Sequence, residues 1–307
     1  ADPYVAMFNM EGVHRDSLIQ KINMYWDLTE MMLMPDDEVH FHFELTDNDN
    51  VSGPKMTISN TLIAKVPSLA DLYDEMENSE NNLAEEIIAE LNDIESLKDQ
   101  IENTELKMLK SDKMNWDEKQ SLKSSIDQSK KEIEKLEKIA QAIESITEQA
   151  EKHKLLSPKM LEKFKELSRL VNEIMPKDMM NNIDDLEMAL ENMDMDSIQD
   201  ALSQLSEDME KIEKDLDRYL EIFKRFQAEQ KLDEIQNRLQ NLIEQQGALD
   251  NEIDGADENP STMDRLAQEE QRNLDEFKNI QSLVKDASEM IDQFNKNTAN
   301  ELSELSE

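Results

Sequence analysis

The stretch from Met209 to Ile253 limits what this chain can fold into more than any other. Met209, Ile212, Leu216, Tyr219, Phe223 and Phe226 alternate steps of three and four, which places them on one stripe of a helix with charged residues around it. The rhythm resumes at Leu232, Ile235, Leu239, Leu242, Gln246, Leu249 and Ile253, two residues late for the first register. Such a slip either bends the helix or hands its stripe to a different partner. In both cases other helices must cover the stripe, so a helical assembly around this segment is expected.

The bulk numbers agree with long, thin helical layers. The 307 residues are 37% hydrophobic and 34% charged, with 4 Gly and 7 Pro, which suits elements that bury little core per residue. A net charge of -39 also suits disorder, but the apolar residues of the helical part are periodic rather than sparse. So acidic a chain is a poor ligand for nucleic acid or anionic lipid, which need Lys and Arg clusters. It favours solubility and a basic protein partner, and leaves a homo-oligomer open. With 0 Cys, disulfides and thiolate chemistry are excluded. No apolar run approaches the roughly 18 residues of a membrane span, and no signal peptide is visible. Ala1-Asp2-Pro3 leads directly into strand-like sequence, which suggests a piece of something longer.

Residues 1–66 differ in kind from the rest. Glu38 to Leu45 alternates polar and apolar without a fault, as a strand with one buried face does. Tyr4 to Phe8, Ile22 to Trp26 and Met56 to Val66 are further strand candidates, and Pro35-Asp36-Asp37 and Asp47 to Pro54 supply turns. The expectation is a small antiparallel β part, immunoglobulin-like but incomplete, because about four strands do not close such a sandwich.

At Pro67-Ser68-Leu69 the period changes, and Ser68 is placed to cap a helix. One stripe runs through Leu83, Ile87, Ile94, Leu97, Ile101 and Met108. A break near Ser111 to Lys113 and a capping-box pattern at Asn115 to Glu118 precede a second, through Leu122, Ile126, Ile133, Leu136, Ala140, Ile143 and Ala150. Two long helices with a short connection should form an antiparallel hairpin. Ser157-Pro158 opens a shorter helix and Pro176 ends it. From Asp178 to Glu210 there are eleven Asp and Glu and no Lys or Arg, together with Met179, Met180, Met188, Met193, Met195 and Met209. Two helices should share this segment, with Asp194 or Asp196 capping the second. The central helix follows, fraying at Gly247 or Gly255, and a last helix uses Leu274, Phe277, Ile280, Val284, Ala287, Ile291 and Phe294. In sum, residues 1–66 are the β part, 67–297 a bundle or coiled coil of long antiparallel helices, and 298–307 a flexible acidic tail.

Leu33 to Val39, Thr46 to Lys55 and Val66 to Tyr73 resemble the β-to-α junction of a family of large bacterial envelope proteins. Phe223 to Phe226, Glu229 to Glu234 and Glu244 to Gln246 are similar to that family's low-complexity helical region. The resemblance covers residues from about 4 to 255. It implies immunoglobulin-like β domains behind N-terminal membrane helices, and an envelope location on the periplasmic side of an anchored parent. The membrane helices have no counterpart in this chain, so a cytoplasmic location stays open. The family carries no established activity.

Candidate sites are few. His40 and His42 lie two apart on a strand, flanked by Glu38 and Glu44, a face of the kind that holds zinc. Val39, Phe41, Phe43 and Leu45 make the better core face, which leaves the histidines on the polar side by default. Asp47 and Asp49 sit in an Asp-Asn-Asp-Asn run that invites calcium, yet the sixth and twelfth positions of an EF-hand loop hold Ser52 and Ile58. Turn geometry beside Gly53-Pro54 explains that run without a metal. The acidic, Met-rich segment 178–210 has three readings. It is a solvated face, the favoured one, or it docks internally on residues 111–169, which carry thirteen Lys and Arg against twelve acids. Or it takes a cationic amphipathic helix or Ca²⁺, most densely at Asp184, Asp185, Asp194 and Asp196. No phosphate loop, nucleophile elbow, His-Glu-x-x-His or cysteine is present. The expectation is therefore a non-catalytic scaffold without cofactor, a spacer or docking surface; the alternative is a binding module built on 178–210.

Overall fold

The computed structural model describes residues 7, 9, 10, 21–23, 25–28, 31, 33, 35, 37–47, 49, 51–108, 114–255 and 259–305. It is mostly α, with a small β part at the N-terminal end and long helices after it. The helices are α1 (Leu69–Met108), α2 (Trp116–His153), α3 (Pro158–Ile174), α4 (Met179–Asn192), α5 (Met195–Asp254), α6 (Pro260–Asp292) and α7 (Lys296–Leu305).

Local chemistry sets the boundaries. Ser68 and Asp71 bond each other's backbone amides at 3.0 and 2.9 Å, so α1 starts on a reciprocal cap. Asn115 and Glu118 do the same for α2. Ser157 caps α3 ahead of Pro158, and Asp194 caps α5. The break expected near residues 111–113 lies outside the described residues.

Four antiparallel passes build the main core. Cross-links fix the directions: Lys135 of α2 meets Asp93 of α1 at 2.6 Å, Lys231 of α5 meets Glu77 of α1 at 2.5 Å, and Lys130 of α2 meets Glu187 of α4 at 2.7 Å. Phe164 of α3 lies 4.8 Å from Phe226 of α5, and Asn182 of α4 is 2.6 Å from Asp208 of α5. Helices α3 and α4 therefore lie end to end along α5, as one pass interrupted at Met175 to Asp178. The third pass breaks there because Pro176 has no amide to donate. The first α5 register, Met209 to Phe226, is buried in this core with the expected α1 and α2 stripes; Ala140 alone is half-buried.

Central helix α5 is longer than expected. It begins at Met195, absorbing the second acidic helix, and runs without a break through Gly247 to a stop at Gly255. From about residue 228 it leaves the apolar core of the four-pass bundle, though as far as Asn237 it still bonds the start of α1. There Ile235 and Leu242 turn to Ile280, Leu283, Val284 and Ala287 of α6. The slip thus marks a change of partner within one helix.

The α6 stripe is only partly as expected. Ile280, Val284, Ala287 and Ile291 are buried, but Leu274, Phe277 and Phe294 are 47%, 45% and 43% exposed. Around Asn273 to Glu276 the face toward α5 is polar, with Glu276 on Arg238 and Asn273 on Gln246, so Leu274 and Phe277 point away, while Leu266 further out is buried. The segment expected to be a flexible tail is helix α7 as far as Leu305, tied by buried Ala299 and by the Ser288 hydroxyl donating to the Ala299 carbonyl at 2.9 Å.

In the β part the single strand expected over Glu38 to Leu45 is two: β1 (Glu38–Phe41) and β2 (Glu44–Thr46). Antiparallel to them run β4 (Leu62–Lys65) and β3 (Met56–Ile58), with Phe41 opposite Leu62 and Glu44 opposite Ile58. His42 and Phe43 thus face Ser59, Asn60 and Thr61, a bulge that kinks one long hairpin. Across it the Ser59 amide donates to the Phe43 carbonyl and the Phe43 amide to the Ser59 hydroxyl, both at 2.9 Å. The expected core face is realised only in part: Val39 and Phe41 are half-buried, but Phe43 and Leu45 are 40% and 65% exposed, because beyond the kink both faces of β2 and β3 are open among the described residues. Of the other strand candidates, Ile22, Asn23, Tyr25 and Trp26 are irregular, and most of Tyr4 to Phe8 lies outside the described residues.

Candidate functional site

The four residues singled out in the β part are held by their own neighbours. Asp47 accepts from the amides of Asp49 at 3.2 Å and Lys55 at 2.8 Å; Asp49 accepts from those of Val51 at 2.9 Å and Ser52 at 3.0 Å. These amides hold the Asp49 carboxyl below the usual carboxylate range. The oxygens a calcium ion would need already fasten a turn. His40 bonds Glu38 at 2.8 Å and His42 bonds Glu44 at 3.2 Å, two separate pairs on either side of the kink.

Acidic segment 178–210 divides by helix face. Met179, Ile183, Leu186, Leu190, Ile198, Leu202 and Met209 are buried, whereas Met180, Met188 and Met193 are 46%, 54% and 45% exposed. Asp184, Asp185, Glu191, Asp196, Asp200, Glu207 and Glu210 face solvent. One internal ion pair, Glu187 with Lys130, joins the segment to α2, and it holds the Glu187 carboxyl low. Asp194 is spent on its cap, with Ser197 donating at 2.7 Å.

Carboxylates inside the bundle are the chemically unusual feature. Along α1 the buried positions run Tyr73, Met76, Glu80, Leu83, Ile87, Glu90, Ile94, Leu97, Ile101, Thr104 and Met108, in unbroken alternation of three and four. Glu80 and Glu90 thus occupy core positions, each 2% exposed. Glu90 faces Glu132 of α2, 4% exposed, and Asp93; oxygens of the three lie within 4.8 Å of one another. Among the described residues this is the only grouping of three such ligands close enough to share a cation. Here the cation is Lys135, at 2.5 Å from Glu132, 2.6 Å from Asp93 and 3.5 Å from Glu90. Neither Glu90 oxygen has a hydrogen-bond partner, and burial together with the Glu132 charge pushes its pKa up to about 8.

A second polar cluster sits where α5 changes partner. The Tyr73 hydroxyl donates to the Leu155 carbonyl at 2.5 Å and accepts from Asn237 at 3.1 Å. Burial raises its pKa to about 12, so it stays a donor. Lys231 bridges Glu77 at 2.5 Å and Glu234 at 3.1 Å, Glu234 binds Arg238 at 3.0 Å, and Arg238 reaches Glu276 of α6 at 2.8 Å. Burial lifts Glu80 beside them to about 8, against the opposing effects of Gln230 and Lys231. The Asp233 carboxylate accepts the Ser157 amide at 2.7 Å. One chain of charge and hydrogen bonds thus ties α1, the α2–α3 turn, α5 and α6 at a single level.

None of these groups stands out in the bare sequence, because carboxylates are everywhere in it. The legible signal is narrower: in an apolar stripe of steps three and four, an acid at a vacant step is a buried acid. No family model, curated protein or solved structure matches the chain. No described helix is long and apolar enough to cross a membrane.

Proposed function

We propose that this chain is a non-catalytic scaffold, a stiff spacer with docking faces, in a larger bacterial envelope protein. The observation that carries it is α5, 60 residues in one helix shared by two separate cores. At about 1.5 Å per residue such a helix spans on the order of 90 Å. The buried charges support the same reading. Each is neutralised by a neighbour or raised toward its neutral form, and they lie between helices rather than around a substrate-sized cavity. The envelope location rests on the junction sequences Leu33 to Val39 and Val66 to Tyr73. Fractionation of cells carrying the parent protein tests it: the parent should co-sediment with membranes, and recovery in the cytosol would overturn the location.

A second reading is favoured by one observation, the three exposed methionines of α4 and its cap among unpaired acids. That face suits a basic amphipathic helix, with methionine as adaptable apolar contact. Replacing Asp184 and Asp185 by Lys should abolish capture of such a peptide, and unchanged capture would remove this reading.

A further inference from the structure

The break in the third pass leaves a cleft. Where α3 ends at Ile174 and the chain turns through Pro176, one face of α5, along Lys211, Asp215, Arg218 and Ile222, stands open beside the buried Ile212 and Leu216, and a volume of about 280 Å³ opens between the two helices. Leu170, Ile174 and Ile222 supply its apolar wall. Tyr219 lines it too, 2% exposed, and the Tyr219 hydroxyl is buried with no hydrogen-bond partner. A buried phenol without a partner costs stability, so this one is a donor waiting for an acceptor.

The mouth carries four charges in balance, Lys211 and Arg218 against Glu173 and Asp215. Lys211 and Asp215 are four residues apart and Asp215 and Arg218 three, the spacings at which helical ion pairs form. None of the four is within 4.0 Å of an opposite charge among the described residues, so they stand open around the cleft.

We propose that this cleft binds a small zwitterion with an apolar side chain, an apolar α-amino acid or dipeptide. The carboxylate meets Arg218 and accepts from the neighbouring Tyr219, the ammonium faces Asp215 and Glu173, and the side chain rests on Leu170, Ile174 and Ile222. A simple anion or cation would be attracted by one pair and repelled by the other, whereas a zwitterion satisfies both. The volume is just below the ~300 Å³ at which ordinary ligand pockets begin, which limits the ligand to this size. The inference does not rest on the scaffold reading.

The test is calorimetry and amide chemical-shift titration of the whole chain with leucine, phenylalanine and leucyl-leucine. Isocaproate, which lacks the ammonium, and isopentylamine, which lacks the carboxylate, are the controls. Binding of at least one zwitterion is expected, with shifts at Tyr219 and Ile222 and each control weaker by about tenfold or more. Tyr219→Phe should weaken binding by a similar factor while leaving the free protein at least as stable, which a merely structural hydroxyl would not do. Arg218→Gln, at an exposed position, should weaken the zwitterion and isocaproate but not isopentylamine. No shift with any zwitterion at millimolar concentration overturns the proposal. So does isocaproate binding as tightly as leucine, or full affinity in Tyr219→Phe.

Discussion

Glu90 shows what one residue can decide. Its pKa of about 8 in the folded chain lies above that of an unfolded carboxyl, so the folded chain holds a proton that the unfolded chain gives up first. The stability this contributes is complete below the ordinary carboxyl range and is lost as pH rises through about 8. Glu80 has the same sign and the same window. The thermal midpoint should therefore fall as pH rises from about 5 to about 9. Glu90→Gln should stabilise the protein by roughly 1–3 kcal/mol at the alkaline end and change little at the acid end. A midpoint that climbs with pH would contradict the burial of these acids. Tyr73→Phe leaves the Leu155 carbonyl only the longer bond from Asn237, at 3.4 Å, and removes the acceptor Asn237 has in the hydroxyl, so it should cost about 1–3 kcal/mol in chemical denaturation.

At the scale of elements, periodicity made most of the helices legible. Apolar residues at steps of three and four, caps at Ser68, Asn115, Ser157 and Asp194, and the stop at Pro176 all act locally, and the observed ends follow them. What failed depended on partners. Phe43 and Leu45 alternate as a strand should, but β2 and β3 pack on no other described element, so neither face is buried. Leu274 and Phe277 repeat at helical spacing, but Arg238 and Gln246 of α5 meet the polar Glu276 and Asn273 at that level of α6. A stripe shows that a face exists without showing what it meets, and so the carboxylate cluster and the Tyr219 cleft, each built by two helices, were not legible. For the acidic helices the exposure of Asp184, Asp185, Glu191 and Asp196 supports solvation over internal docking. Salt should raise the thermal midpoint, because mutual repulsion is screened as the Debye length falls to about 3 Å at 1 M. A midpoint that drops with NaCl and KCl alike would show that internal pairs such as Lys130 with Glu187 dominate.

On the whole-molecule scale the chain is two cores on one rod. The first is closed by four antiparallel passes, and the second is a smaller cluster of α5, α6 and α7. With fewer buried side chains, the second should open first, so α6 and α7 should exchange amide protons well before α1 and α2. Joint exchange of all helices would mean a single cooperative unit. The central claim is that α5 stays one continuous helix across the switch of partners near residue 231, and a chain without cysteine makes it measurable. Spin labels at Glu207→Cys and Ala248→Cys, both exposed, lie on opposite sides of the junction. Electron–electron double resonance should give one narrow distance near 62 Å, the length of 41 helical residues at about 1.5 Å each. A broad distribution, or a mean shorter by a quarter, would show that the helix bends or melts where its stripe slips.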